Sequence, residues 1–412
     1  MINLRKLFGT ILAILFLQTL SCISTAARSA ASIDSHQKYA FSQSAQSQSQ
    51  DDAVQSLLNQ AQEFTRRRQF DQAVEVLRRA VQMKPALVSA HVQLGLALMQ
   101  TGQLNEALAE MRRAIELNPN DARAYAGLGN VEGAMRRYDE AIDAYRQAIS
   151  LDPNYFAAYN NLGIAYGTTN RYAESEEAFR QALRIDSNNA DAWNGLGIAQ
   201  FRTGQREEAI SSLKRAVQLN PRDVNVYLNL ARWYQELGRY EESADAFTEV
   251  TRIVPRFPAT YFERSLDYFY LGRGEAAAAD ARTFLDLTNW HTDRAEYMVI
   301  LAALGYRRAG RDADAKQILD TAFRRSNNGA WPFPIINYLR GEMTAESLLA
   351  IAIDNDRMTE ARAYIGMDLM LKGRNEEAVQ HFRWVREHGN RRFVEYNLAA
   401  IEIERLGQRS SQ

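Results

Sequence analysis

One spacing, 34 residues, recurs through the middle of this chain and constrains its fold more than any other feature. Proline, replaced once by serine, follows the spacing at Pro85, Pro119, Pro153, Ser187, Pro221 and Pro255. Glycine follows it at Gly95, Gly129, Gly163 and Gly197. Small residues form two further series, Ala73, Ala107, Ala141, Ser175 and Ala209, then Ala80, Ala114, Ala148, Ala182 and Ala216. Because four series share one period, residues 54–257 are predicted to be six copies of one structural repeat.

The same series predict the internal structure of each repeat. Glycine inside a helix costs about 0.8–1.0 kcal/mol relative to alanine, so its return at the eighth position needs a tertiary reason. We expect the first helix of each repeat to cross the second helix there too closely for a larger side chain. Alanine in the second helix allows the same close approach, and proline at position 32 ends that helix because it lacks an N–H donor. Each repeat is therefore predicted to be a helix, a turn and a second helix.

Together these residues resemble the tetratricopeptide repeat. The resemblance implies an all-α fold, in which helix pairs stack into a right-handed superhelix, an α-solenoid. Two weaker repeats follow at 258–291 and 296–329, and a ninth is expected at 359–392. The segment 393–412, with a helix from about Phe393 to Leu406, is predicted to cap the stack.

An insertion at 330–358 separates the eighth and ninth repeats. With the cap, it is similar to the C-terminal part of NlpI-type bacterial envelope lipoproteins through Trp331, Ile335, Tyr338, Leu339, Gly341, Phe393, Val394, Glu395, Leu406 and Gly407. That resemblance implies a periplasmic scaffold without a catalytic centre, which brings cell-wall hydrolases together with a protease or with synthetic machinery. The alternative is that Trp331, Phe333 and Tyr338 only fill a gap in the stack, as buried aromatic residues commonly do.

The first 27 residues have the pattern of an export signal. Arg5 and Lys6 precede the apolar run Leu7–Leu20, and small residues around Ser24 and Ala26 offer a cleavage site. This run of 14 residues is short for a membrane-spanning helix, which needs ~20, although an uncleaved anchor stays an alternative. The chain is therefore expected to be exported to the periplasm or the cell envelope.

Cys22 is the only cysteine of the chain and lies within this leader. The residues around it resemble the end of a bacterial lipobox, in which the cysteine carries lipid, although Gln18 and Thr19 stand where that motif prefers aliphatic residues. Lipidation of Cys22 and its removal with the leader both stay open. In either case no disulfide braces the mature chain. Residues 28–53, rich in Ser, Gln and Ala, are predicted to be a flexible tether.

Composition and motifs argue against several classes of function. The formal net charge is −1, and removal of the leader with Arg5 and Lys6 leaves 47 basic against 50 acidic residues, so no nucleic-acid partner is expected. The sequence has no phosphate-binding loop, HExxH or GxSxG motif, and its five histidines are scattered. We therefore expect no enzyme, with no catalytic residue, metal, cofactor or small-molecule substrate. Membrane contact is expected only through the leader or a lipid, and a homodimer is left open.

Candidate binding residues follow from the expected superhelix. Positions 2, 5, 6, 9, 12 and 13 of the first helices face its concave side in proteins of this kind. Here these positions hold Asn130, Asn160, Asn161, Asn194, Asn225 and Asn229, with Arg202 and Arg232 nearby. Because an asparagine amide is both donor and acceptor, a row of them is suited to bind the backbone of an extended peptide. A merely solvated inner face is the alternative.

A clamp for a C-terminal carboxylate is not expected, since its basic positions hold Ala126, Asp191 and Gly195. The sequence thus predicts a non-catalytic envelope scaffold that binds proteins or peptides in its concave groove. One alternative is an assembly factor for a membrane-protein complex, similar to the tetratricopeptide proteins that help to build photosystems. Another is a subunit that targets a transferase or hydrolase, which would need a catalytic partner.

Overall fold

Each predicted repeat folds as two helices joined by a tight turn. A computed structural model describes residues 48–325 and 329–409 of the chain. The predicted leader, Cys22 and residues 28–47 of the predicted tether lie outside the described residues. Every regular element within the described ranges is a helix, so the structure confirms the all-α fold predicted from the sequence.

The helices are numbered along the chain. The six regular repeats contain α1 (48–66), α2 (Phe70–Met83), α3 (Val88–Gln100), α4 (Leu104–Leu117), α5 (Ala122–Ala134), α6 (Tyr138–Leu151), α7 (Phe156–Thr168), α8 (Tyr172–Ile185), α9 (Ala190–Arg202), α10 (Arg206–Leu219), α11 (Val224–Glu236) and α12 (Tyr240–Ile253). The two weaker repeats contain α13 (Pro258–Tyr270), α14 (Gly274–Leu287), α15 (Ala295–Arg308) and α16 (Asp312–Arg325). The insertion, ninth repeat and cap contain α17 (Phe333–Arg340), α18 (Ala345–Ile351), α19 (Asn355–Leu371), α20 (Asn375–His388) and α21 (Val394–Arg409).

The chain divides into two compact parts, an N-terminal part that ends at Ser187 and a C-terminal part that begins at Asn188. In the N-terminal part, consecutive helices pack against each other from the α2–α3 pair to the α7–α8 pair. The first helices of neighbouring repeats also meet, since α5 contacts both α3 and α7. In the C-terminal part, the same serial packing runs from α9 to α21. Helix pairs stacked in sequence order are the arrangement of an α-solenoid.

The two helices of a pair cross most closely at the eighth position of the repeat. A Cβ atom on Gly129 would lie 2.6 Å from Cε1 of Tyr145, and one on Gly163 would lie 2.9 Å from Cε2 of Phe179. Both distances are shorter than carbon atoms adopt in contact, so a side chain would have to displace a buried ring. The structure therefore confirms that the recurring glycine allows this close crossing.

The turn inside each regular repeat places one residue in the left-handed backbone region. In three repeats this residue is a glycine, with φ between +70° and +89°, at Gly102, Gly204 and Gly238. In the other three it carries a side chain, with φ near +60°, at Arg68, Arg136 and Asn170. A left-handed φ costs such a residue ~1–2 kcal/mol. The turn geometry is therefore kept even where the sequence does not supply glycine.

Helix α1 begins within the segment predicted to be a flexible tether. Residues 48–53 are helical, and two of their polar side chains contact the end of α2. The Gln50 Nε2 donates to the carbonyl of Met83 at 2.6 Å, and Lys84 forms an ion pair with Asp51 at 2.8 Å. The tether was predicted from the local Ser, Gln and Ala content, and local composition contains no information about a contact with α2.

The insertion packs into the core of the C-terminal part. Phe333 is 1% exposed and belongs to a continuous apolar cluster with residues of α15 and α19. The hydroxyl of Tyr338 donates to Asp368 of α19 at 2.9 Å, and Arg307 of α15 forms an ion pair with the same carboxylate at 2.7 Å. These contacts agree with the alternative in which the aromatic residues of the insertion fill a gap in the stack.

A second buried carboxyl group joins the insertion to α15 and α19. Glu360 accepts a hydrogen bond from Nε1 of Trp331 at 2.6 Å and from the Tyr297 hydroxyl at 3.1 Å. Burial, aided by the charge of Glu395 on the cap helix, raises the pKa of Glu360 to about 7. Glu395 is itself buried and accepts a hydrogen bond from the Tyr364 hydroxyl at 2.6 Å. Two acidic side chains thus sit in the interior where the insertion, the ninth repeat and the cap meet.

Two glycines of α5 provide a matched test of the close crossing. A Cβ atom on Gly133 would have its nearest neighbour, the Cβ of Ala141, at 3.9 Å, so this site has room for a methyl group. We expect Gly133→Ala to raise the free energy of unfolding by about 0.5–1 kcal/mol through helix propensity. Gly129→Ala should instead lower it by about 1–3 kcal/mol through overpacking against Tyr145. Urea unfolding followed by circular dichroism measures both changes, and equal effects would contradict the packing argument.

Glu360 makes the stability of the C-terminal part depend on pH in a defined direction. In the unfolded chain this carboxyl ionises near pH 4.5, whereas in the folded chain it stays protonated up to about pH 7. Unfolding therefore releases a proton within this window, and stability falls as the pH rises from 4.5 to 7. Glu360→Gln removes this titration. Relative to the unsubstituted protein, the variant should gain about 1–3 kcal/mol between pH 4.5 and pH 8.

Thermal unfolding at a series of pH values measures that difference. The control is Glu404→Gln, which makes the same exchange at an exposed position of the cap helix α21, away from the buried carboxyl groups. If the offset between Glu360→Gln and the unsubstituted protein does not change with pH, the carboxyl of Glu360 does not stay protonated in the folded chain.

Candidate functional site

A groove of about 900 Å³ opens in the N-terminal part between the first helices of successive repeats. Helices α1, α3, α5 and α7 supply most of its surface. Its lining residues are Gln62, Thr65, Arg66, Arg68, Phe70, Ser89, Val92, Gln93, Leu96, Ala97, Met99, Gln100, Arg123, Ala126, Gly127, Asn130, Tyr155, Ala157 and Asn161.

The lining of this groove follows the repeat numbering. On α3, the lining residues at positions 2, 5, 6, 9, 12 and 13 are Ser89, Val92, Gln93, Leu96, Met99 and Gln100. On α5, the residues at positions 2, 5, 6 and 9 are Arg123, Ala126, Gly127 and Asn130, and α7 adds Ala157 and Asn161 at positions 2 and 6. All the lining residues of these three helices except Ala97 fall at the six positions named from the sequence, but Asn160, at position 5 of α7, is not among them.

Asn130 connects the groove to the packed interior. Its Oδ1 accepts a hydrogen bond from the Tyr145 hydroxyl at 2.8 Å and another from Nδ2 of Asn161 at 2.8 Å. Burial raises the pKa of Tyr145, which keeps this hydroxyl protonated as a donor. These two bonds use both lone pairs of the Asn130 side-chain carbonyl. The N–H donors of the same amide group have no acceptor within residues 48–325 and 329–409.

Asn160 supports this arrangement from outside the groove lining. Its Nδ2 donates to Oδ1 of Asn161 at 3.2 Å, while its own Oδ1 is buried and has no hydrogen-bond partner among the described residues. The Asn161 amide is thus held from both sides, by Asn160 and by Asn130. The structure brings together three of the predicted asparagines, of which Asn130 and Asn161 face the groove.

The remaining predicted residues lie in the C-terminal part. Nδ2 of Asn229 on α11 is 3.4 Å from Oδ1 of Asn194 on α9, so this pair also joins the first helices of two successive repeats. Asn225 is exposed at the start of α11, and Arg202 and Arg232 are exposed on α9 and α11. Cys22, the candidate lipidation site, lies outside the described residues.

The groove contains polar residues besides the asparagines predicted from the sequence. Gln93 and Gln100 occupy inner positions 6 and 13 of α3, so the same positional rule would have found them had it included glutamine. Arg123 occupies position 2 of α5. Arg66 occupies inner position 13 of the first repeat, so the same positional rule marks it, whereas Arg68 lies in the following turn, beyond the six inner positions.

Arg123 is held in place by Asp121, the residue that caps the start of α5. The carboxylate of Asp121 accepts from the backbone N–H groups of Arg123 and Ala124, and its Oδ2 lies 3.0 Å from Nη2 of Arg123. Burial tends to raise the pKa of Asp121, but its hydrogen bonds with Arg123 and the charge of that guanidinium lower it below the usual value. The capping carboxylate therefore stays ionised and orients Arg123 at the groove.

Metal-binding clusters and membrane-spanning helices are both absent from the described ranges. No group of three or more His, Cys, Asp or Glu side chains there could hold a metal ion. None of the helices in those ranges is both long and apolar enough to cross a bilayer.

Comparison with known proteins agrees with the helix-pair architecture. Models of the tetratricopeptide repeat match residues 64–131, 126–190, 161–210 and 188–256. Among solved structures, the chain is similar to YrrB, described as a TPR protein with an unusual peptide-binding site, at 26% identity over 44% of this chain and 93% of YrrB, with a TM-score of 0.40. It is also similar to MamA, at 26% identity over 39% of this chain and 94% of MamA, with a TM-score of 0.35.

A third similar structure is that of PilF from Pseudomonas aeruginosa, at 20% identity over 52% of this chain and 96% of PilF, with a TM-score of 0.46. The matched repeat models cover the region in which the 34-residue period, the helix pairs and the groove were found. Residues 64–256 therefore consist of tetratricopeptide repeats, which generally mediate protein–protein interactions and are generally non-catalytic.

Proposed function

We propose that this chain is a non-catalytic scaffold of the cell envelope that holds extended segments of partner proteins in its groove. The observation that carries this proposal is the row of amide side chains along the groove, with donors on Asn130 that have no acceptor in the part of the chain that the structure describes. An unused polar group on the lining of a concave surface is satisfied by water or by a ligand.

The chemistry of the groove suits the backbone of an extended peptide. Such a backbone presents alternating N–H donors and C=O acceptors, and amide side chains pair with both whatever the peptide sequence is. Gln93 and Gln100 on α3 and Asn130 and Asn161 across the groove supply these amides. Apolar residues lie between them, so side chains of the bound segment find apolar contacts as well.

The predicted residues of the C-terminal part extend this proposal. The Asn194–Asn229 pair joins successive first helices as the Asn130–Asn161 pair does, and exposed Arg202 and Arg232 lie on the same two helices, α9 and α11. We propose that these residues bind a peptide segment in the same way, through the amides of Asn194, Asn225 and Asn229.

The location and clients of the scaffold rest on the sequence. The leader with Arg5 and Lys6, followed by an apolar run, supports export to the periplasm or envelope. The resemblance of the insertion and cap to NlpI-type lipoproteins supports an adaptor that brings cell-wall hydrolases or proteases together. The partners are proteins, and membrane contact is through the leader or a lipid on Cys22.

Photo-crosslinking in living cells tests the groove as the binding surface. A benzoylphenylalanine placed at Gln100, which is exposed and lines the groove, should capture discrete partner proteins. Asn161→Ala in the same chain should reduce this capture about 2- to 10-fold, the loss expected for one or two hydrogen bonds. Mass spectrometry of the adducts identifies the partners and quantifies their yield.

The control position is Gln147, which is exposed on the second helix α6 and does not line the groove. Capture from Gln147 should be weak and unaffected by Asn161→Ala. Equal capture from both positions, insensitive to Asn161, would place the partner on another surface of the repeats.

Fractionation of cells tests the envelope location. We expect the chain in the periplasmic or membrane fraction, with an N-terminus shortened by removal of the leader. The mass of the mature N-terminus distinguishes lipidation of Cys22, simple cleavage and an uncleaved anchor, and Cys22→Ser provides the matched control for the lipid. A full-length chain found in the cytosol would contradict export.

A further inference from the structure

The groove of the N-terminal part has a one-sided charge. Three of its lining residues, Arg66, Arg68 and Arg123, are arginines, and none is Asp or Glu. The whole chain is nearly balanced, with 49 Lys and Arg against 50 Asp and Glu. The excess of positive charge is therefore a local property of this surface and not a reflection of the overall composition.

These arginines differ in how strongly they are engaged within the chain. Arg68 forms no hydrogen bond or ion pair through its side chain with any residue in 48–325 or 329–409. Arg66 lies 3.8 Å from a Glu63 carboxylate, which also contacts Arg67 at 3.4 Å. Arg66 and Glu63 are both largely exposed, so their interaction contributes little. The guanidinium groups of Arg66 and Arg68 at the groove are thus available to a ligand.

Arg123 is different because Asp121 fixes its direction without removing it from solvent. Its side chain is 64% exposed although it hydrogen-bonds to Asp121. A guanidinium has five N–H donors in a planar fork, and Asp121 uses the Nε and Nη2 groups. The remaining donors are free to pair with a second carboxylate, and little side-chain entropy is lost when they do.

We propose that the occupant of this groove is an extended segment of a partner protein that carries acidic side chains around an apolar residue. Its Asp or Glu carboxylates pair with Arg66, Arg68 and Arg123, its backbone pairs with the amides of Asn130 and Asn161, and its apolar residue packs on the Val92, Leu96 and Met99 surface. This inference rests on the proposed function of the groove as a peptide-binding surface. It specifies in addition that the bound segment is acidic.

The groove fits an acidic peptide better than other anionic partners. A C-terminal carboxylate is not required, since Ala126 stands at one of the basic positions of the usual carboxylate clamp, and the three arginines can pair with carboxylates along a chain. Nucleic acid is bound mainly through phosphates by extended basic stripes. The lining here combines its arginines with apolar and amide residues that suit a peptide backbone.

Fluorescence anisotropy with the full chain tests the proposal. The probe is a fluorescein-labelled peptide of alternating glutamate and leucine, and its twin has glutamine in place of every glutamate. We expect the glutamate peptide to bind at least about tenfold more tightly than the glutamine twin at low salt, with a difference that shrinks as sodium chloride is added.

The chain offers a matched pair of variants. Arg68 and Arg136 occupy the same turn position in two repeats, with φ of 59° and 62°, but only Arg68 lines the groove. Arg68→Gln should weaken binding of the glutamate peptide about 2- to 5-fold, and Arg66→Gln combined with Arg68→Gln about tenfold. Arg136→Gln should leave binding unchanged, and none of these variants should affect the glutamine twin. Circular dichroism confirms that each variant is folded.

The outcomes separate this inference from the proposed function. If both peptides bind equally well to the groove, the selection of acidic segments is wrong while peptide binding stands. If neither peptide binds and Gln100 captures no partner, both fail. If an oligothymidylate displaces the glutamate peptide and binds more tightly than it does, the groove is a nucleic-acid site and the proposal is overturned.

Discussion

The close crossing of the two helices in each repeat is the constraint on which the rest of the structure depends. Gly129 and Gly163 face the rings of Tyr145 and Phe179 at distances that leave no room for a side chain. This nesting fixes how one pair is oriented and lets the next pair stack on it. Beside this packed crossing, the inner positions of the first helices line the groove.

The C-terminal part ends its stack in a different way. Its interior contains carboxyl groups of α19 and α21, each matched by donors from another element, as Glu360 is by Trp331 and Tyr297. Buried acids satisfied in this way give directional contacts that apolar packing alone does not supply. They fix the insertion and the cap against the last helix pairs, where the regular 34-residue pattern no longer specifies the partner of each helix.

Periodic information explains what the sequence could predict. The helix pairs, the glycine crossing and the inner positions all follow from contacts between residues at fixed repeat positions, which appear as a period in one sequence. The Trp331–Glu360 and Gln50–Met83 hydrogen bonds each occur once and not at a fixed repeat position, so the 34-residue period does not predict them. Arg68, which lines the groove, lies at a turn position that is defined by its left-handed backbone conformation. That conformation does not predict that the side chain lines the groove.

The hydrogen bonds of Asn130 have a consequence for the mechanics of the repeats. Its side-chain oxygen accepts hydrogen bonds from the core residue Tyr145 and from Asn161 of the following repeat, so it links two successive repeats. A peptide that accepts a hydrogen bond from the Asn130 amide would restrict the motion of this linking side chain. Occupancy would then stiffen the joint between α5 and α7, and a filled solenoid would resist stretching or bending there more than an empty one.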